Sequence, residues 1–158
     1  SIRYLLLFSA PNFKKAYLLA TKLLKGLGSI DDVHNIASKS KLQKINDTKL
    51  PAAAIKDAAL EKMFVDAFNK YHGEEFKGTA MKAVLTSDDW SIERNDITGI
   101  VTGRVRRAVI AYKGKDGKCY VTANFFLHQE YVGSSFSSTA TSKFPIMGSQ
   151  EMLCTNVK

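Results

Sequence analysis

The chain changes its apolar rhythm near its middle. Up to about residue 85 apolar side chains recur every three or four positions, and after Thr86 they recur every second position. The first spacing marks helix faces and the second marks strands. In PNFKKAYLLATKLLKGLG, Phe13, Ala16, Tyr17, Ala20, Leu23, Leu24 and Leu27 share one face, which predicts a helix with that face inward. Pro11 suits its first turn, and Gly26 and Gly28 suit its exit. Ser29 with Asp32 three residues on is a capping-box variant opening a second helix, with Ile30, Val33, Ile36 and Ala37 expected inward. That helix is expected to fade in the polar run SKSKLQKINDTKL. A third helix is predicted from Pro51 to His72. Its apolar stripe is wide: Ile55, Ala59, Met63 and Ala67 lie beside Leu60, Phe64, Phe68 and Tyr71. Such a stripe suits packing on a sheet. TAMKAVL reads as a further short helix, and Tyr4–Phe8 as a buried strand or the first turn of a core helix.

Alternation then takes over. Trp90, Ile92 and Arg94 share a parity, and Asn95-Asp96 signals a turn. Ile97, Gly99, Val101, Gly103 and Val105 form one face of a predicted long strand, with Thr102, Arg104 and Arg106 opposite. Asp116-Gly117 predicts a hairpin. Cys119, Val121, Ala123, Phe125 and Leu127 share a face of the next strand. The Ser/Thr-rich stretch around Phe136 is expected to add an edge strand, and Met152–Val157 a closing one. The class is therefore α+β: three to four N-terminal helices on a curved C-terminal antiparallel meander. A single domain over 1–158 is expected, with a helical half (1–85) and a sheet half (86–158). Such a meander around helices resembles the cone shape of nuclear-transport-factor-2-like domains. The resemblance is architectural and implies a cone-like fold without a function.

Charge shifts the picture toward an acidic partner. The net charge is +8, and the excess sits early: residues 1–50 carry nine Lys and Arg against three Asp. No apolar run approaches the roughly 20 residues that a membrane helix needs, so no transmembrane segment is expected.

Candidate chemistry is sparse. The stretch TGRVRRAVIAYKGKDGKCYV holds Arg104 and Arg106 on one strand face, about 7 Å apart by strand geometry, with Lys113, Lys115 and Lys118 around the turn. These five cations are the candidate contact for an anion or a nucleic-acid strand. The ordinary alternative is a solvated outer face. The two cysteines, Cys119 and Cys154, lack a Cys or His at ligand spacing, which argues against a metal site. They are candidates for a disulfide if their strands pair, which would suit a secreted or periplasmic chain. Cys119 and His128 fall on opposite faces of one strand and cannot form a dyad. His72 is read as a helix-end residue. Asp88-Asp89 reads as a turn and Glu74-Glu75 as a helix start. No catalytic, cofactor-binding or metal motif is present. Phe126 and Phe136, with Ser135 and Ser137, are the candidate protein contact, provided the two rings neighbour one another across strands. The expected function is thus a non-catalytic protein-binding or assembly module, a subunit that binds a partner or itself. The alternatives are a basic nucleic-acid-binding module using Arg104 and Arg106, and a pocket protein or enzyme of cone-like fold with a ligand near Trp90.

Overall fold

The computed structural model describes residues 11–142 and 148–158. The predicted element at Tyr4–Phe8 lies outside the described residues, as do the side chains of Phe13, Ala20, Leu24 and Leu27. Two compact units emerge, one reaching to Gln43 and one spanning Lys44–Lys158.

The first unit is helical. Helix α1 spans Pro11–Leu27 and α2 spans Ile30–Asp47. Between them Gly28 takes φ +81°, a conformation that glycine adopts freely. The capping box forms as expected. The Asp32 N–H donates to Ser29 Oγ at 3.2 Å, and the Ser29 N–H donates to Asp32 Oδ2 at 2.8 Å. The Ser29 hydroxyl also donates to Asp32 Oδ2 at 2.8 Å, and this bond, then that from the Ser29 N–H, holds the exposed Asp32 carboxyl below its ordinary pKa. Two expectations fail here. Helix α2 does not fade at residue 38 but runs on to Asp47, because Lys, Leu and Gln sustain a helix and nothing in the run breaks it. The faces expected inward are exposed: Tyr17, Leu23, Ile30, Val33 and Ile36 all lie open to solvent.

The second unit is built on α3, Ala58–Tyr71. The helix starts seven residues later than its apolar pattern suggests. Asp57 is its cap, accepting from the Leu60 N–H at 3.0 Å, and Pro51–Asp57 runs as irregular chain before it. Ile55 therefore belongs to no helix face. Leu60, Phe64, Ala67 and Phe68 are buried against the sheet.

The sheet is antiparallel and curled into a half-barrel. Its spine is β3, Val101–Gly114. On one side β3 pairs first with β1, Gly78–Leu85, and then with β2, Ser91–Arg94. On the other it pairs with β4, Cys119–Thr122, and with β5, Phe125–Glu130. β6 (Thr141–Ser142) continues from β5, β7 (Ser149–Met152) from β4, and a 3-10 turn, Cys154–Val157, follows. Both flanking lines are thus broken, at Thr86–Trp90 and at Ala123–Asn124, and there the sheet is free to bend around α3.

TAMKAVL is accordingly a strand rather than a helix, and the sheet begins at Gly78, not Thr86. Ala83, Val84 and Leu85 are buried in succession, so β1 shows no alternation to betray it. Gly99 lies in the β2–β3 turn at φ +68°, not in the strand, and Ile97 beside it is 94% exposed. Asn95 shapes that turn by accepting from the N–H groups of Ile97 and Thr98. Asp116-Gly117 makes the β3–β4 hairpin as expected, with Gly117 at φ +80°. Glu74-Glu75 lies in a turn, not a helix start.

Ala108, Ile110 and Tyr112 of β3 face α3 together with Ala80, Ala83, Leu85, Phe125 and Leu127. Phe68 sits at the centre, with Tyr112, Phe76 and Phe125 rings at 5.2, 5.9 and 6.1 Å. The expectation that Cys119 and Phe125 share a face fails. Tyr112 pairs with Tyr120 but Ala108 pairs with Phe125, one residue out of step. This bulge flips the parity, so Tyr120 and Phe125 face the helix while Cys119 and Phe126 face away. Thr122 Oγ1 repairs the ladder there by accepting from the Ile110 N–H at 2.9 Å. On the outer face a disulfide joins Cys119 to Cys154 across 35 residues of sequence. Cys119 lies on β4 opposite Met152 of β7, and Cys154 follows two residues later at the start of the 3-10 turn.

Candidate functional site

Arg104 and Arg106 continue the helix-facing parity of β3. They are not on a solvated outer face. Pairing puts Arg104 opposite Gln129 and Arg106 opposite Leu127, and both partners are buried. Arg106 is only 7% exposed. Its Nη2 donates to the Ser87 and Asp88 carbonyls at 3.1 and 2.9 Å, which fixes the turn between β1 and β2. Its Nε is buried with no hydrogen-bond partner.

Arg104 is held between two rings. Its guanidinium carbon lies 4.2 Å from the centre of the Trp90 ring and 4.4 Å from that of Phe136. Its Nε donates to Gln129 Oε1 at 2.8 Å, and Gln129 in turn reaches Met63 of α3 through its amide at 3.9 Å from the sulfur. The Arg106 guanidinium is 5.9 Å from the same Trp90 ring. Burial, and then the Arg106 charge, hold the Arg104 pKa below the usual guanidinium value, while Asp89 acts the other way. Among the described residues no carboxylate lies within 4.0 Å of either guanidinium. Trp90, Gln129 and Phe136 complete a polar-aromatic cluster that alternation alone did not bring together.

The lysines lie elsewhere. Lys113 is nine residues along β3 from Arg104, roughly 30 Å by strand geometry, and on the other parity. Lys115 approaches Glu74 at 3.7 Å and Lys118 pairs with Glu151 at 3.1 Å. The five candidate cations therefore do not form one surface.

Phe126 and Phe136 are not neighbours either. Phe126, opposite Arg107, has the outward parity. Phe136 sits on Arg104 and packs edge-on to Tyr131 at 5.3 Å. The Ser/Thr-rich stretch folds back as a tight turn. Val132 donates to the Ser135 carbonyl at 2.8 Å, and Ser137 donates to the Glu130 carbonyl at 2.8 Å.

Two histidines have unexpected roles. His72 does cap α3, its N–H donating to the Phe68 carbonyl. Its ring is also buried against Phe125, Phe68 and Phe76. Nε2 lies 2.7 Å from Ser142 Oγ and Nδ1 lies 2.9 Å from Glu75 Oε2. Hydroxyl, imidazole and carboxylate thus stand in the order used to activate a serine. The Glu75 side chain is 60% exposed, however, so the carboxylate that orients the ring is itself open to solvent. The line of bonds ties the helix end to the edge strand β6. On the outer face His128 Nε2 pairs with Glu93 at 3.2 Å. To do so its ring crosses Gly103, where a Cβ would stand 2.4 Å from Nε2 and 2.9 Å from the Gln129 carbonyl.

Among the described residues no His, Cys, Asp and Glu group could hold a metal, and no helix is long and apolar enough to cross a membrane. No protein-family model, curated protein or solved structure matches the chain.

Proposed function

We propose that this chain is a non-catalytic protein-binding module, a subunit of a larger assembly. The carrying observation is α2. This helix of 18 residues buries none of them, and Ile30, Val33 and Ile36, which share a face, are 78, 40 and 59% exposed. Fully burying such side chains is worth roughly 1.5–3 kcal/mol each, so covering what remains open would contribute about 4 kcal/mol to a complex. An isolated helix with that face unused is marginal in water, and a partner stabilises it. The candidate contact at Phe126 and Phe136 contributes less, since its two rings lie on opposite faces. A nucleic-acid role is weakened by the scatter of the five cations. The disulfide suits work in an oxidising compartment.

The test is association. Light scattering after size exclusion, from micromolar to several hundred micromolar, together with purification from the native source, should show self-association or a stoichiometric bound protein. The variant I30Q/V33Q/I36Q should lose that association at least tenfold while keeping its helical circular dichroism. A monomer at every concentration with no co-purifying protein would overturn the proposal.

A further inference from the structure

Among the described residues the cluster around Arg104 holds two cations and no carboxylate in contact with either, Asp89 acting only from a distance. A buried charge is expensive unless it is paired. Arg106 is buried, yet its only described acceptors are two backbone carbonyls and its Nε has none. Arg104, next to it, spends Nε on a neutral amide. Two guanidiniums gathered on one indole ring repel each other, and Asp89, which eases this, is not in contact with either. Folding alone would favour a carboxylate here, and the chain supplies none within 4.0 Å among the described residues.

We infer that Arg104 and Arg106 form a receptor for a carboxylate carried by the protein partner. The planar fork of arginine matches a carboxylate with two parallel hydrogen bonds. Trp90 and Phe136 hold the Arg104 guanidinium at 4.2 and 4.4 Å, and no hydrogen bond among the described residues takes its two Nη groups, which are left for a ligand. Their stacking also lowers the entropy lost on binding. Ile92, opposite Arg104 on β2 and 48% exposed, supplies an apolar neighbour suited to a peptide. A nucleic-acid strand fits less well, because the aromatic faces that would stack bases already hold a guanidinium, and the lysines are remote. The inference names chemistry that the partner must carry, and so rests on the protein-binding reading. The α2 variant tests that reading by a separate surface and assay.

Trp90 is the single tryptophan, so its fluorescence reports the cluster directly. The whole chain would be titrated at low salt with four probes: acetyl-hexaglutamate amide, acetyl-triglycine with a free C-terminus, inorganic phosphate and a dodecamer of thymidine. Saturable change with either peptide supports the inference, and the peptide that acts tells a side-chain carboxylate from a chain end. Arg104→Gln should weaken that binding at least tenfold. Arg104→Lys, which keeps the charge and loses the fork, should fall between. Arg106→Gln risks the β1–β2 turn, so the decisive substitutions are those at the more accessible Arg104. No response to either peptide, equal binding by wild type and Arg104→Gln, or tighter binding of phosphate or the oligonucleotide would overturn the inference.

Discussion

Replacing Cys154 by alanine isolates the contribution of the crosslink. Cys119 is 1% exposed and its removal would also disturb packing, whereas Cys154 is exposed on the 3-10 turn. The bond closes a loop between positions 35 apart. The chain-entropy relation for a loop of this length gives an entropy near −13 cal/mol/K, or about 4 kcal/mol at 25 °C. A domain of ordinary stability has about 5–15 kcal/mol in all, so the variant should lose a large fraction of it. Among the described residues the C-terminal segment is also held by the buried Met152, by the Tyr112 hydroxyl donating to Ser149 Oγ at 2.8 Å and by the Lys118–Glu151 pair. β7 pairs with β4 over four residues, Gln150 bonds the Thr48 hydroxyl, and Asn156 donates to the carbonyls of Asn46 and Thr48 at 3.1 and 2.9 Å. Urea unfolding should be measured on wild type with and without reductant and on Cys154→Ala. Reduced wild type and the variant should coincide, about 4 kcal/mol below the oxidised protein. Hydrogen exchange should quicken first in β7 and the 3-10 turn. A loss below about 1 kcal/mol, or a reduced wild type that differs from Cys154→Ala, would refute the reasoning.

Two further outcomes are expected. Tyr120 donates to Asp116 Oδ2 at 2.6 Å, and this bond raises the phenol to about 12 while lowering the carboxyl. Because the folded phenol lies above its ordinary value near 10, its contribution to stability is full below pH 10 and fades as pH rises through 12. The contribution of Asp116 runs the other way, present above the usual carboxylate range and lost as pH falls through its depressed value. Ultraviolet titration should show one tyrosine near 12 that moves toward 10 in Asp116→Asn. An unchanged titration would reject the pair as the cause. For Ser142, a fluorophosphonate probe should leave it unlabelled at neutral pH, as read by mass spectrometry. Stoichiometric labelling that disappears in His72→Ala would make the serine–histidine–glutamate line catalytic and overturn the non-catalytic reading.

Local signals were legible where a short-range rule decides the outcome. The Ser29–Asp32 box, the Asn95 and Asp116-Gly117 turns and the Leu60–Phe64–Phe68 stripe all follow from residues a few positions apart. The pairing of Cys119 with Cys154 was also within reach, since it needs only two strands side by side. β1 was hidden because its Ala, Met and Leu favour helix, while burial on both faces removed the alternation that marks a strand. The start of α3 was hidden because PAAAIKD has helical composition, and only the Asp57 cap shows where winding begins. The arginine cluster was misplaced for a subtler reason. Val105 against Arg104 and Arg106 suggests valine in and arginine out. Yet Val105, Val109 and Ala111 are buried on the outer face as well. With both faces covered, parity no longer tells inside from outside. The aromatic partners of Arg104 come from residues 90 and 136, on separate elements, and no spacing rule links them.

The bulge between β4 and β5 gives one continuous stretch of chain two allegiances. Before it, odd-numbered residues look outward and anchor the sulfur bridge. After it, odd-numbered residues look inward and supply Phe125, Leu127 and the glutamine that steadies Arg104. Residue 123 or 124 is therefore not spare loop. An unbroken ladder through the same residues would set Asn124, Phe126 and His128 opposite Ala108, Arg106 and Arg104 in place of Phe125, Leu127 and Gln129, and so turn that half of the strand inside out.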